Sequence, residues 1–531
     1  MPAAMLHTHE PMPASTIVFN QSDVLESILS WLSPTELLEC ASVCSLFCET
    51  ADALLTRDGV LELSKADAAH HATDGLLLFL AKQRIPRAIR KLDIAGCGGL
   101  TKHAVWRAAR ASPKLQTLVA TKVGGASWTL LELQRLIEAC PSLRYLHVDC
   151  KSHGITNELL DLLQHPMTAI EKLTIHRAKP ASEASGLAAP LTPGGDGGRR
   201  SFEKALQRCP SLKELDASGD CLEAVDGVHQ ISQALASSEV NLQSLKMASV
   251  PSMRRDIGLL ADGLASNTKL EALELGCNFI GAAGVQQLAS ALAGHPTLRH
   301  LELSHNPLLD GVTALGDALA HNRSLTKLSM PFTGMNDDSC DALARALSQG
   351  STVAQLDLSG NRITAEGMAV LAKGLAGFSA HSSRAGSPRC RRAARPADAA
   401  VTDSTLTSLT LTANTTLTSL NLTANHNIGG DGALLISAAL PHCNIRSLSL
   451  AGCRIGASPC GRLVANLMRS QVESLDLSSN AIEDEGAWEL AWGLPECPIK
   501  ELRLAVNEIE DDGAAEVRLP KVAIQIMRRS R

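Results

Sequence analysis

The feature that most restricts this chain is a ladder of apolar residues at nearly constant pitch. A start of the form L-x-x-L recurs at Ile89, Leu115, Leu143, Ile170, Leu212, Leu242, Leu270, Leu298, Leu325, Val353, Leu406, Leu417, Ile445, Val472 and Ile499, and most successive starts lie 27 or 28 residues apart. One full unit is Leu270 to Thr297, LEALELGCNFIGAAGVQQLASALAGHPT. Alternation at Leu273 and Leu275 calls for a short strand with one buried face. Val285, Leu288, Ala289 and Leu292 are spaced as on one face of a helix that stops at Gly294. One strand and one helix cannot bury both apolar faces alone, so the unit requires neighbours of its own kind.

Five residues after the second leucine stands Asn or Cys in nine units: Cys97, Asn278, Asn306, Asn361, Asn414, Asn425, Cys453, Asn480 and Asn507. An Asn side chain at a turn can satisfy backbone groups that stacking would leave unpaired. This combination resembles a leucine-rich repeat, and its helix and length resemble the ribonuclease-inhibitor class. The resemblance implies an α/β solenoid, a horseshoe with parallel strands concave and helices convex, over residues 89–519.

Three steps break the pitch. The step of 42 between Ile170 and Leu212 contains residues 179–200, whose Pro, Gly and Ser content cannot pack and reads as a flexible loop. Between Val353 and Leu417 lies a basic stretch at 378–403, read as a spacer loop. It is followed by a near-duplication, LTSLTLTANTT then LTSLNLTANHN, which supplies a strand without its helix and puts Thr410 among the strand residues. Pro520 breaks the last helix, so residues 520–531 are expected to form a closing cap and tail.

Bulk composition mainly excludes. A formal charge of -6 and 13 aromatic residues give no support to nucleic-acid binding by charge or by base stacking. Cys140, Cys209 and Cys497 each precede Pro, a repeat-equivalent place that suits a small buried side chain better than a disulfide. Neither a signal peptide nor an apolar run of membrane-spanning length is present in the sequence, so a cytoplasmic or nuclear protein with no membrane partner is expected. No phosphate loop, H-E-x-x-H or G-x-S-x-G motif occurs, and no catalytic residue, cofactor or metal is expected. Cys40, Cys44 and Cys48 share a helix face but lack a fourth ligand. His295, His321 and His442 fall at inter-repeat turns and read as turn or surface residues.

The N-terminal part is of another kind. Residues 1–15 read as a loose tail, and 56–88 as a connector or degenerate repeat. In between, residues 16–55 carry two short amphipathic helices. Val24, Leu25, Ile28, Leu29 and Leu32 line the first; Ser33 caps a second that begins at Pro34 and carries Leu37, Leu38, Val43 and Phe47. Two such helices make too small a core to stand alone. The order Ile28-Leu29, Leu32-Ser33-Pro34, Leu37-Leu38, Val43-Cys44 and Phe47 resembles an F-box, without the opening Pro of that family. The resemblance implies docking onto a Skp-type adaptor of a cullin ubiquitin ligase through Val24, Ile28, Leu29, Leu32, Pro34, Leu37, Leu38, Val43 and Phe47.

The repeats offer a surface for a second protein. The residue between the paired leucines of each strand faces outward; among these are Val119, His147, Thr174, Asp216, Lys246, Glu274, Glu302, Asp357 and Thr410, with Tyr145 and His300 beside them. Glu274 and Glu302 fall on adjacent strands, and Phe332 follows Pro331 as a lone apolar anchor. These residues predict a target-binding face suited to a partner with a basic segment. The expected function is a non-enzymatic substrate receptor of an SCF-type ubiquitin ligase. The alternatives are a GTPase-activating protein of the Ran type, which usually has an acidic tail where this chain reads Met527-Arg-Arg-Ser-Arg, and a plain scaffold.

Overall fold

The computed structural model describes residues 60–62, 89–123, 128–150, 169–177, 202–207, 209–219, 227–376, 414–510 and 523–525, with single positions at 74, 77 and 513. The chain divides into two compact units, one of Met1–Gln230 with Glu239–Lys246, the other of Ile231–Ser238 with Met247–Arg531.

Among the described residues of the first unit seven parallel strands are stacked in chain order: β1 (Val60–Glu62), β2 (Lys91–Asp93), β3 (Thr117–Ala120), β4 (Tyr145–Cys150), β5 (Lys172–Arg177), β6 (Glu214–Asp216) and β7 (Ser244–Lys246). Their leucines Leu92, Leu118, Leu146, Leu173, Leu215 and Leu245 are register neighbours and fully buried, so each strand contributes one rung of a continuous apolar column. Burying one such side chain stabilises by roughly 1.5–3 kcal/mol. Helix α1 (Lys102–Ala111) starts where the Thr101 side chain accepts the Ala104 N–H, and it buries Ala104, Val105, Ala108 and Ala109. Helix α2 (Leu130–Ala139) starts with a reciprocal capping box between Thr129 and Glu132. A Lys102–Glu132 ion pair of 3.0 Å links the two helices.

The second unit repeats the same pattern more regularly. Strands β8 (Ala272–Glu274), β9 (His300–Glu302), β10 (Lys327–Ser329), β11 (Gln355–Asp357), β12 (Ser419–Asn421), β13 (Ser447–Ser449), β14 (Ser474–Asp476), β15 (Glu501–Arg503) and β16 (Ala523–Gln525) are parallel and in chain order. The final strand extends the sheet at its edge, Glu501 opposite Ala523, so the closing segment takes the form of one more rung. Within the repeat Leu270 to Thr297 the helix covers Ala282–Leu292 and buries Val285, Leu288, Ala289, Ala291 and Leu292, in agreement with its sequence period. Helices Val312–His321, Asp337–Ser348 and Ala365–Ala376 pack closely because small residues meet: a Cβ on Gly316 would lie 2.7 Å from the Ala342 carbonyl carbon, and one on Gly374 2.6 Å from Ala344 Cα.

The insertions leave the register intact. Lys172 pairs directly with Glu214 across the long step. Likewise Gln355 pairs with Ser419, and Asp357 with Asn421, so the sheet passes from β11 to β12 with no rung between them. The expected Thr410 strand therefore has no place in this ladder; residue 410 and the stretches 179–200 and 378–403 lie outside the described residues.

The asparagines do what their spacing predicts. Asn306 Nδ2 donates to Leu275 O at 2.8 Å and Leu303 O at 3.0 Å, while its Oδ1 accepts the N–H groups of Asn278 and Ile280 at 2.9 and 3.0 Å. Asn278, Asn361, Asn425, Asn480 and Asn507 bridge to the preceding repeat in the same way. Asn414 differs: its Nδ2 donates to Leu347 O and its Oδ1 accepts from Leu417 N, which places it at the helix-to-strand turn. Its spacing to the duplicated LTSLTL copy is a coincidence of the insertion.

Candidate protein-binding face

Short strands of this register present their non-leucine positions in parallel rows. In the second unit one row contains Ala272, His300, Lys327 and Gln355, and the next contains Glu274, Glu302, Ser329 and Asp357. Neighbouring strands lie ~4.8 Å apart, so the register neighbours Glu274 and Glu302 bring two negative charges together. Their side chains are half-buried.

In sequence this row looks like solvated charge; in the fold its acids also close their own turns. Glu302 Oε1 accepts the Ser304 N–H at 2.6 Å, Asp357 Oδ1 that of Ser359 at 2.9 Å and Asp476 Oδ1 that of Ser478 at 2.9 Å. In the first unit Asp216 and Asp93 hold the N–H groups of Ser218 and Ala95 likewise. The second oxygen of Glu302 lies over the backbone of Gly276, where a Cβ would stand 2.9 Å from it. One carboxylate thus spans two adjacent turns.

His300 sits between Ala272 and Lys327 in register. Burial, and then the charge of Lys327, lower its pKa from the ordinary imidazole value, with Glu274 and Glu302 pulling the other way. At neutral pH it is therefore a neutral hydrogen-bonding group in an acidic setting.

At the ends of β9 and β10 the chain turns through a left-handed residue. His305 has φ 54° and Phe332 φ 53°, and their rings stack with centroids 4.7 Å apart and planes 7° from parallel. Phe332 is 53% exposed. The equivalent residue on the next turn is Gly360, and a Cβ there would overlap the Phe332 ring. The glycine thus leaves room for a flat aromatic shelf. His305 is a member of this site that its sequence context did not mark. Counting from the ladder asparagine would have found it, because Cys277, His305 and Phe332 each immediately precede a ladder position.

In the first unit Tyr145 and Lys172 are register neighbours, with Lys172 Nζ 5.1 Å from the tyrosine ring centroid and 2.8 Å from Glu214. The hydrogen bond that Lys172 donates to Glu214 raises the Lys172 pKa. Asp216 and Lys246 are register neighbours on β6 and β7. Two expected face residues are not exposed: Val119 and Thr174 are buried. Both are short side chains flanking His147 in register, and short side chains at those places sink below their larger neighbours. Of the predicted target-binding residues, Tyr145, Asp216 and Lys246 thus belong to the first unit, and Glu274, His300, Glu302, Phe332 and Asp357 to the second.

The predicted adaptor-binding residues between Val24 and Phe47 lie outside the described residues, as do Cys40, Cys44 and Cys48. Among the described residues no group of His, Cys, Asp and Glu is arranged to hold a metal ion, and no helix is long and apolar enough to cross a membrane. Cys140 and Cys209 are buried, as expected of small packing side chains, and burial pushes the Cys140 and Cys453 thiols up to about 12. Thiols so raised are not nucleophiles at neutral pH. His295 sits at its expected turn but is buried, not at the surface.

An F-box domain model matches residues 22–55, and a leucine-rich-repeat model matches 266–289, 294–312, 351–372, 413–437 and 472–491. The chain is 28% identical over 223 residues to human "NACHT, LRR and PYD domains-containing protein 13", which covers 42% of this chain and 20% of that protein. It is 31% identical to bovine "NACHT, LRR and PYD domains-containing protein 5" over 56% of this chain and 27% of that protein. Pig ribonuclease inhibitor is 37% identical over 123 residues, covering 23% of this chain and 27% of the inhibitor. The chain thus spans about a quarter or less of the length of these relatives. Among solved structures, a chain of the yeast Rad7 and Elc1 complex aligns with 96% of this chain and 94% of its own length, at 14% identity and a TM-score of 0.43.

Proposed function

We propose that this chain, which joins an F-box segment to leucine-rich repeats of the ribonuclease-inhibitor type, is a substrate receptor of an SCF-type ubiquitin ligase. The observation that carries the reading is the coexistence of the two parts in one chain: an F-box segment at 22–55 and a stack of strands whose open face presents side chains in fixed register. The receptor supplies no catalytic group. It acts by holding adaptor and target at once, which raises their effective concentration for ubiquitin transfer.

In this reading Val24, Ile28, Leu29, Leu32, Pro34, Leu37, Leu38, Val43 and Phe47 meet a Skp-type adaptor, through which the cullin is recruited. The target lies on the strand face, against Tyr145, Asp216 and Lys246 in the first unit and Glu274, His300, Glu302, Phe332 and Asp357 in the second. The paired acids and the exposed aromatic shelf favour a target segment rich in Lys or Arg, since a cation is attracted both to carboxylates and to a ring face.

The test is adaptor capture. Leu32→Asp or Val43→Asp abolishes pull-down of the adaptor while the circular dichroism spectrum and unfolding midpoint of the repeats are unchanged. Wild-type chain that ignores the adaptor would sink the reading.

A further inference from the structure

The helix Glu483–Gly493 buries Gly486, Ala487, Leu490 and Gly493 against the repeats. A surface helix of this kind should carry polar residues on its opposite arc. Instead it carries Trp488 and Trp492, 51% and 85% exposed, four residues apart and so on one face. Met468, 39% exposed, extends the apolar surface from the end of the preceding helix, with its Sδ beside Gly493. The helix and its flanks carry charge of one sign. Between Ile482 and Lys500 stand Glu483, Asp484, Glu485, Glu489 and Glu496, and no Lys, Arg or His. At about 100° per residue Glu485 and Glu489 flank the tryptophans on the side of the preceding helix, and Glu489 reaches over Gly461 of that helix. Arg462 and Arg469 belong to that neighbouring helix and its C-terminal turn.

Both tryptophans stay largely exposed, and Trp is the side chain most enriched where binding energy concentrates. We propose that this helix is a second protein-docking surface, distinct from the strand face, and that its occupant is a basic amphipathic segment of a partner protein. Aliphatic side chains of the partner cover Trp488, Trp492 and Met468, and its Lys or Arg side chains meet Glu485, Glu489 and Glu496. Charge complementarity selects this occupant. A second copy of the same face would set acid against acid, and an anionic lipid surface would be repelled by the same carboxylates.

The test uses the full-length chain and a short, fluorescently labelled amphipathic peptide of Leu and Lys, with a Leu and Glu peptide of the same pattern as control. Anisotropy should report binding of the basic peptide only, weakening with added salt, and a blue shift of tryptophan emission should accompany it. The double variant W488A/W492A should weaken binding at least tenfold, and so should E485Q/E489Q; all four side chains are exposed, so the fold is retained. Glu138→Gln, which removes an exposed carboxylate of helix α2, should leave the affinity unchanged. The proposal is overturned if the basic peptide does not bind, if the acidic peptide binds equally well, or if the tryptophan variant binds like wild type. It is also overturned if Glu302→Gln abolishes binding, since the peptide then lies on the strand face. A wild-type dimer in sedimentation that W488A/W492A dissolves would assign the face to a second copy and overturn it as well.

Discussion

Nδ1 of His295 accepts the backbone N–H of Leu298 at 3.0 Å, in the place where Asn322 Oδ1 accepts that of Leu325 at 2.8 Å. The two residues close equivalent helix-to-strand turns, but only the amide completes the set. Asn322 Nδ2 donates to Leu292 O, as Asn267 Nδ2 does to Leu235 O, whereas His295 Nε2 is buried without a hydrogen-bond partner among the described residues. Because Nδ1 is an acceptor, the proton resides on Nε2 and the orphan is a donor.

His295→Asn should therefore stabilise the protein, by about 1 kcal/mol for one recovered hydrogen bond. The gain should grow with acidity. Burial lowers the His295 pKa, so the folded chain binds this proton less readily than the unfolded one, whose histidines titrate near ~6.5. Stability is complete above ~6.5 and is lost as pH falls from there towards the folded value. Urea midpoints compared at about pH 7.5 and about pH 5.5 should show a smaller acid loss in the variant. Equal losses in the two proteins would contradict the assignment.

The asparagine ladder should be the most sensitive polar feature of the fold. Asn480 is fully buried; its Nδ2 donates to Leu450 O and Leu477 O, and its Oδ1 accepts from Cys453 N and Ile455 N. Asn480→Ala leaves carbonyl and N–H groups of two repeats unsatisfied and should cost roughly 3 kcal/mol or more. Asn444, which makes one surface bond to Thr415 O, is the control: its alanine variant should cost less than about 0.5 kcal/mol. Chemical denaturation of the two variants decides between a shared backbone tie and a local turn contact.

Sequence pitch was enough to identify the strands, the buried leucines and most of the ladder, because stacking forces every rung to solve the same burial problem with the same residues. It failed where one side chain serves two neighbours. Asn414 has ladder spacing from one copy of the duplication, yet Asp357 pairs directly with Asn421, with no rung between them. Val119 and Thr174 occupy outward positions, but their depth depends on which residue lies beside them, and register is a property of two strands. The acids of the strand face were legible as charges. Their bonds to Ser304, Ser359 and Ser478 were not, because nothing in the spacing of a carboxylate says which way it turns.

Gly360 should be irreplaceable for a reason beyond its φ of 64°. A left-handed Ala costs roughly 1–2 kcal/mol, and here its methyl would also displace the Phe332 ring from His305. Gly360→Ala should thus lower the unfolding midpoint and move the His305 ring-proton resonances away from their ring-current-shifted positions. Phe332→Ala should move the same resonances with a smaller loss of stability. If Gly360→Ala leaves them in place, the glycine serves backbone conformation alone.

Glu302 allows charge and structure to be separated. Gln keeps an oxygen for the Ser304 N–H but removes the negative charge opposite Glu274; Ala removes both. Glu302→Gln should leave stability unchanged or raise it by a few tenths of a kcal/mol through relief of like-charge pairing, whereas Glu302→Ala should lose about 1 kcal/mol with the turn bond. If the strand face holds a basic target segment, the two variants should nevertheless weaken target capture alike, because a carboxylate facing Lys or Arg contributes mainly through its charge. Capture that follows stability, lost in Ala and intact in Gln, would mean that Glu302 builds the turn and that recognition lies elsewhere on the face.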